Sequence, residues 1–276
     1  MINREKIKSN WMYVLVSQPD IYVWNLIRNT LFVGAITFVL TYLYLHSSLA
    51  DKHIPSAVYS LVAFAIGLTL AMRMSTAYER WSSGSKHFNE LHNSITFLCM
   101  KARETLSNPE KEILLKHISL FLSNFNETLR NLDDKKDLDI EQSYLEELHN
   151  IMSLFTDLYD SKEMELGDMN VYHKTIQDII VSAGSCVRIK NTPIPVAISM
   201  HIKVSVMLYI LSLPFGLFSD MGMWSTLMVM VLYYIIAGIE IISKEIENPF
   251  FGDANDLPID QYAKKIKEMS KRTLNI

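Results

Sequence analysis

Cysteine is nearly absent. The 276 residues hold two, Cys99 and Cys186, far apart, with no CxxC pair and no histidine at metal-ligand spacing. That argues against a disulfide framework or a thiolate zinc site, and two ordinary thiols suit the reducing side of a membrane. His87 and His92, five residues apart, do not share a helix face well enough to hold a metal. No Gly-rich phosphate loop, GxSxG or HExxH occurs, so the familiar nucleotide-binding and hydrolytic signatures are missing. There is no basic excess: 26 Lys and Arg stand against 30 Asp and Glu, a net charge of −4. A nucleic-acid binder that works by neutralising phosphates is therefore not expected.

The most informative absence is local. Asn29 to Ala50, Ile54 to Met72, Val204 to Ser219 and Met221 to Ile239 contain no Lys, Arg, Asp or Glu, although 20% of the whole chain is charged. The longer runs match the ~20 residues with which an α-helix crosses ~30 Å of hydrocarbon. The reading is an all-α membrane protein with four transmembrane helices and a large cytosolic helical domain. An intramembrane enzyme would need an ionisable cluster in mid-span, and the spans have none at their centres; no enzymatic activity is expected.

The linkers inside each pair, His46 to His53 and Phe218 to Gly222, are short, so each pair reads as a hairpin returning to the side it left. Nearly all Lys and Arg fall outside those linkers, which places the N-terminus, the middle and the C-terminus in the cytosol and the spans in the plasma (inner) membrane. The division is then 1–25 as a cytosolic N-terminal segment, 26–74 as spans one and two, and 75–190 as a cytosolic helical domain. Spans three and four occupy 194–243, and 244–276 form a cytosolic tail. The first residues mix Arg4, Lys6 and Lys8 with Trp11, Tyr13 and Trp24 and do not read as a cleaved signal peptide. Trp24, Tyr42, Tyr44, Trp224, Tyr233 and Tyr234 lie near span ends, where interfacial aromatics belong.

The middle is helical by pattern. Phe88, Leu91, His92, Ile95, Leu98 and Cys99 recur at three- and four-residue spacing, with similar stripes from Ile113 to Leu129, Tyr144 to Leu158 and Met169 to Val187. Ser107-Asn108-Pro109-Glu110 is a helix start. Four cytosolic helices are predicted, the first continuous with the second span. Residues 104–168 carry 16 Asp and Glu against 6 Lys and Arg. Glu240 and Lys244, i and i+4 at the inner end of the fourth span, are expected to pair with each other or with Arg73, while Lys203 can snorkel to the interface.

The second span is rich in small residues: Ser56, Ala57, Ser60, Ala63, Ala65, Gly67 and Ala71. Such composition allows close helix packing; alternatively Ala57, Leu61 and Ala65, at i, i+4 and i+8, line a pore whose uncharged constriction gates by dewetting. Arg73-Met-Ser-Thr-Ala-Tyr78-Glu79-Arg80-Trp81 follows at the membrane exit. Further motifs are Ile189-Lys-Asn-Thr-Pro-Ile-Pro195 before the third span, Leu213-Pro-Phe-Gly216 in the second hairpin, and Glu245-Ile-Glu-Asn248-Pro-Phe-Phe-Gly252-Asp253-Ala-Asn-Asp256-Leu-Pro258 after the fourth. In order and placement the four resemble the bestrophin family, its bacterial branch most closely, from about Trp24 to Asp260.

The resemblance implies a homopentameric ion channel in the lipid bilayer that passes monovalent ions. Its narrow hydrophobic neck is lined by the second membrane helix. The neck positions fall on Ala57, Leu61 and Ala65, where the family usually has bulky Ile or Phe, so the neck is wider or the gate moves onto Phe64, Ile66 or Leu68. A second constriction at the cytosolic mouth falls between Val171 and Ile176, with Val171 and Thr175 as candidates. The loop after the fourth span matches the calcium clasp of animal bestrophins, with Glu245 and Asn248 supplying carbonyls and Asp253 and Asp256 carboxylates; oxygen ligands suit Ca²⁺. Its acidic run is thinned to Asp-Ala-Asn-Asp, and the alternative is a loop in which Asn248 and the aspartates cap turns. Animal bestrophins best known pass chloride, which favours anions; the acidic cytosolic portion keeps a monovalent-cation (sodium) channel as an alternative, and a non-conducting membrane scaffold or sensor as another.

Overall fold

The computed structural model describes residues 21–47, 55–131, 137–252 and 255–276. Most of the N-terminal segment, most of the first hairpin's linker, the acidic turn near Asp134, and Asp253 lie outside these. The helices are α1 (Ile21–Leu45), α2 (Ser56–Thr105), α3 (Asn108–Arg130), α4 (Asp137–Asp160), α5 (Leu166–Asn191), α6 (Val196–Met221), α7 (Ser225–Glu247) and α8 (Ile259–Leu274). No strand occurs among the described residues. Among the described residues four helices are long and apolar enough to cross a membrane, those beginning at Val23, Ala57, Val196 and Gly222. As expected, the second span continues unbroken into the first helix of the polar middle, α2 running for 50 residues.

The chain divides into two compact units, residues 1–75 with 194–244, and residues 76–193 with 245–276. In the first, α6 is the centre. Ile202, Val206, Tyr209, Ile210 and Leu213 form its buried stripe, meeting Val33 of α1, Leu70 of α2 and Val229 of α7. Hydroxyls on α1 are satisfied within the helix: Thr30 donates to the Leu26 carbonyl (2.8 Å), Thr37 to Gly34 (3.1 Å) and Thr41 to Thr37 (2.8 Å). Such back-bonds let a polar side chain sit where no water competes.

The second unit has a water-soluble protein's core. Phe88, Leu91, Ile95, Leu98, Cys99 and Ala102 of α2 meet the apolar stripes of α3, α4 and α5. Phe121 stacks on Phe125 with centroids 5.6 Å apart, and Phe155 lies over Tyr172 at 3.8 Å. The predicted start of α3 is present: Ser107 is the N-cap residue, Pro109 opens the first turn, and the Ser107 amide donates to Glu110 Oε2 at 2.7 Å, satisfying one group the helix leaves open. Where the sequence reading had only a polar tail, the structure has α8, which buries Ile259, Ile266, Ser270 and Leu274 and joins α3 through the Arg130–Asp260 ion pair. Its lysines mask an amphipathic period that was there to be read.

Candidate functional site: a pore-lining face and the ties beneath it

The first turns of α2 present two faces. Tyr59, Ala63, Ile66 and Leu70 pack on the core of their unit. The opposite face carries the candidate neck positions: Leu61 is 71% exposed, Phe64 70% and Leu68 54%, with Ala57 and Ala65 exposed beside them. Spacings of three and four residues put all five on one side of the helix. The structure thus brings Ala57, Leu61, Phe64, Ala65 and Leu68 together on one apolar surface that the chain itself leaves uncovered. Ile66, the other alternative gate position, belongs to the packed side.

The packed face is held against the part of α6 that contains Pro214. Pro214 lies inside α6, where its ring removes a helical donor and disturbs the turn before it. The Tyr59 hydroxyl donates to the Ser212 carbonyl at 3.0 Å. Gly216 is what allows the approach, because a Cβ there would run into the Tyr59 ring at Cε2. The Leu213-Pro-Phe-Gly216 motif therefore seats the ring that orients the candidate neck face.

Arg73 is buried in the first unit, at 5% exposure. In the second unit Tyr78 is exposed and stacks on Trp81, and Glu79 is exposed. Arg80 does something the sequence reading missed. Its Nε donates to the Glu247 carbonyl at 3.0 Å, and its two terminal nitrogens to the Thr192 and Ile189 carbonyls at 2.6 Å each. Those carbonyls belong to the C-terminal ends of α7 and α5, which lack intrahelical partners and carry the negative end of the helix dipole. One rigid guanidinium fork serves both ends. The Trp81 indole N–H donates to the Asn255 carbonyl at 3.1 Å, and Gly84 lets Phe250, Pro249 and Leu257 pack on α2, with Phe250 Cζ 3.0 Å from where a Cβ would be. An arginine and a tryptophan side by side at the membrane exit were a legible signal; which carbonyls they seek was not.

The expected calcium-clasp residues sit on this loop. Glu245 Oε1 accepts from the Asn255 amide at 2.9 Å, and Asp256 Oδ2 accepts from the Gly252 backbone N–H at 2.7 Å, with Gly252 at φ +100°. Asn248 is partly buried between them, and Asp253 lies outside the described residues. Among the described residues no group of three or more His, Cys, Asp and Glu side chains is poised for a metal. Glu245 Oε1 and Asp256 Oδ2 thus accept hydrogen bonds from within the loop itself.

On α5, Thr175 is buried and spends its hydroxyl on the Val171 carbonyl at 2.8 Å, while Val171 faces outward. Both line an open cleft of about 520 Å³ with Asn93, Ser94 and Phe97 of α2. Deeper in this unit burial pushes the Cys186 thiol up to about 12, an inert group rather than a nucleophile. In the first unit Glu240 lies 3.5 Å from Lys203, a partner that the expected pairing with Lys244 or Arg73 had not included.

Three comparisons bear on what such an arrangement is. Residues 1–272 match the family model described as Bacterial/Fungal Bestrophin protein. Curated relatives include voltage-dependent anion channel-forming proteins of Nostoc sp. (26% identical, over 94% of this chain and 90% of the relative) and Synechocystis sp. (29%, over 72% and 71%). The fold is similar to a solved single-substitution variant of a bacterial bestrophin homologue from Klebsiella pneumoniae, with TM-score 0.83 and 19% identity over 91% of this chain and 99% of that one. A match over nearly the whole chain, four membrane-capable helices and the ordered motifs around them lead to one conclusion: this chain belongs to the bacterial and fungal bestrophin family.

Proposed function

We propose that the protein is a passive, anion-conducting channel, assembled as a homopentamer in the inner membrane with both termini in the cytosol. The observation that carries this reading is the uncovered face of α2. Ala57, Leu61, Phe64, Ala65 and Leu68 form an apolar stripe opposite the one packed on α6. In a ring of copies that stripe lines an axis, and a narrow apolar passage conducts when it wets and closes when it dries. The relatives that carry anion-channel names support chloride as the permeant ion class. No residue is asked to make or break a bond; ions move down their gradient.

Planar bilayers holding the purified full chain under a KCl gradient test this directly. A reversal potential near the chloride equilibrium value is expected. A value near that of potassium would replace the anion reading with a cation channel, and absence of current would leave a membrane scaffold. For the neck, Leu61→Trp is expected to depress conductance and Leu61→Ser to raise it; unchanged currents in both would move the gate off this face.

A further inference from the structure

Between α1, α6 and α7 of the first unit lies a cavity of about 310 Å³ that the channel reading does not use. Its polar lining is Asn29, Lys203, Tyr233 and Glu240, and the rest is apolar, including Val206, Met207 and Ile236. Glu240 is only 12% exposed, and its Oε1 is enclosed and accepts no hydrogen bond among the described residues. Lys203, at 51% exposure, stands 3.5 Å away. That is longer than the 2.7–2.9 Å of a well-made charge-assisted bond, so each charge retains capacity for a further partner.

Depth narrows the partner. Asn29 is eight residues from the start of α1, Lys203 seven from the start of α6, and Glu240 seven from the end of α7, or roughly 10–12 Å along each axis at 1.5 Å per residue. Two hairpins bring those three helix ends to the same side. Centred helices of 25–26 residues overshoot the ~30 Å hydrocarbon core by only about 4 Å at each end, which sets the charge pair roughly 6–8 Å inside the hydrocarbon edge, a depth the long Lys203 stem spans toward the headgroups. A cation and an anion side by side, over an apolar wall, complement a headgroup with the opposite arrangement.

We propose that this cavity is a binding site for an amine-bearing phospholipid of the phosphatidylethanolamine class. Lys203 holds the phosphate, the Glu240 carboxylate accepts a hydrogen bond from the primary ammonium, and an acyl chain lies along Val206, Met207 and Ile236. Phosphatidylcholine offers the same phosphate but a quaternary ammonium with no N–H to donate, and phosphatidylglycerol offers no amine. The site therefore distinguishes three lipids by one group.

Native mass spectrometry of the full chain, released from mixed micelles with equimolar dioleoyl phosphatidylethanolamine, phosphatidylcholine and phosphatidylglycerol, reads retention without any current. Phosphatidylethanolamine is expected to be retained over phosphatidylcholine by roughly fivefold, the scale of one partly solvated ion pair. Glu240→Gln should remove that preference and Lys203→Met should lower retention of all three. Equal retention in the wild type, preference for phosphatidylglycerol, an unchanged preference in Glu240→Gln, or no retained lipid because a neighbouring subunit covers the cavity would each overturn the proposal. The wild-type competition decides even if a variant fails to fold.

Discussion

The two units are built by the same helical rules and bury their apolar residues in opposite senses. In the second, Phe88, Phe121, Phe125, Phe155 and Tyr172 are enclosed and the outer surface is charged. In the first, Leu31, Phe32, Leu61, Phe64, Val204 and Leu208 are turned outward, and only 17% of the α2 span window is buried within the chain. Water forces large apolar groups inside; hydrocarbon does not, so packing there depends on small residues and close approach. A mutation should consequently speak different languages in the two units.

The largest contrast is between enclosed and outward aromatics. Phe155→Ala empties the stack on Tyr172 and is expected to cost about 3–5 kcal/mol, visible as a large drop in the melting temperature in detergent. Phe64→Ala, on the uncovered face, should leave helicity intact and change conductance. If both variants lose stability alike, the comparison fails.

Next comes Arg80. Arg80→Met deprives three helix-end carbonyls of their donor and should lower stability by about 2–3 kcal/mol. Arg80→Lys should recover only part, since an ammonium lacks the fork. Full rescue by lysine would reduce the role to charge alone.

Within the first unit the sensitive element is a close approach rather than a volume. Gly216→Ala drives a methyl into the Tyr59 ring, and such overpacking costs about 1–3 kcal/mol. Combining it with Tyr59→Leu should relieve most of that loss in a double-mutant cycle; strict additivity would show that the ring and the glycine are not coupled.

The smallest effect concerns Cys186. Its thiol has an ordinary value of 9.0 and is held by burial at about 12, so the folded state keeps the proton that the unfolded state releases. The stability this contributes is complete below pH 9 and is lost as pH rises through about 12. In the second unit, then, Cys186→Ala should flatten the alkaline limb of a melting-temperature profile. A profile identical to wild type would remove the thiol from the account.

Much of this was legible along the chain because its causes are local. Charge-free runs of span length need no tertiary partner to be recognised, since hydrocarbon excludes charge wherever it meets it. The three- and four-residue stripes from Phe88 onward and the Ser107 start likewise follow from helix geometry alone. The amphipathic α8 is equally local, but four lysines interleave with its apolar positions and give the segment the look of a polar tail. By contrast, the carbonyls that Arg80 seeks, at positions 189, 192 and 247, are more than 100 residues away. The Tyr59 and Gly216 contact and the Lys203 and Glu240 pair also join different helices. What the linear chain determined by itself was which segments are helices and which prefer lipid, both properties of a few consecutive turns. Only the tertiary structure decided which face of α2 is packed and which is left for other partners, because a helix surface acquires a front and a back only when another helix is laid against it.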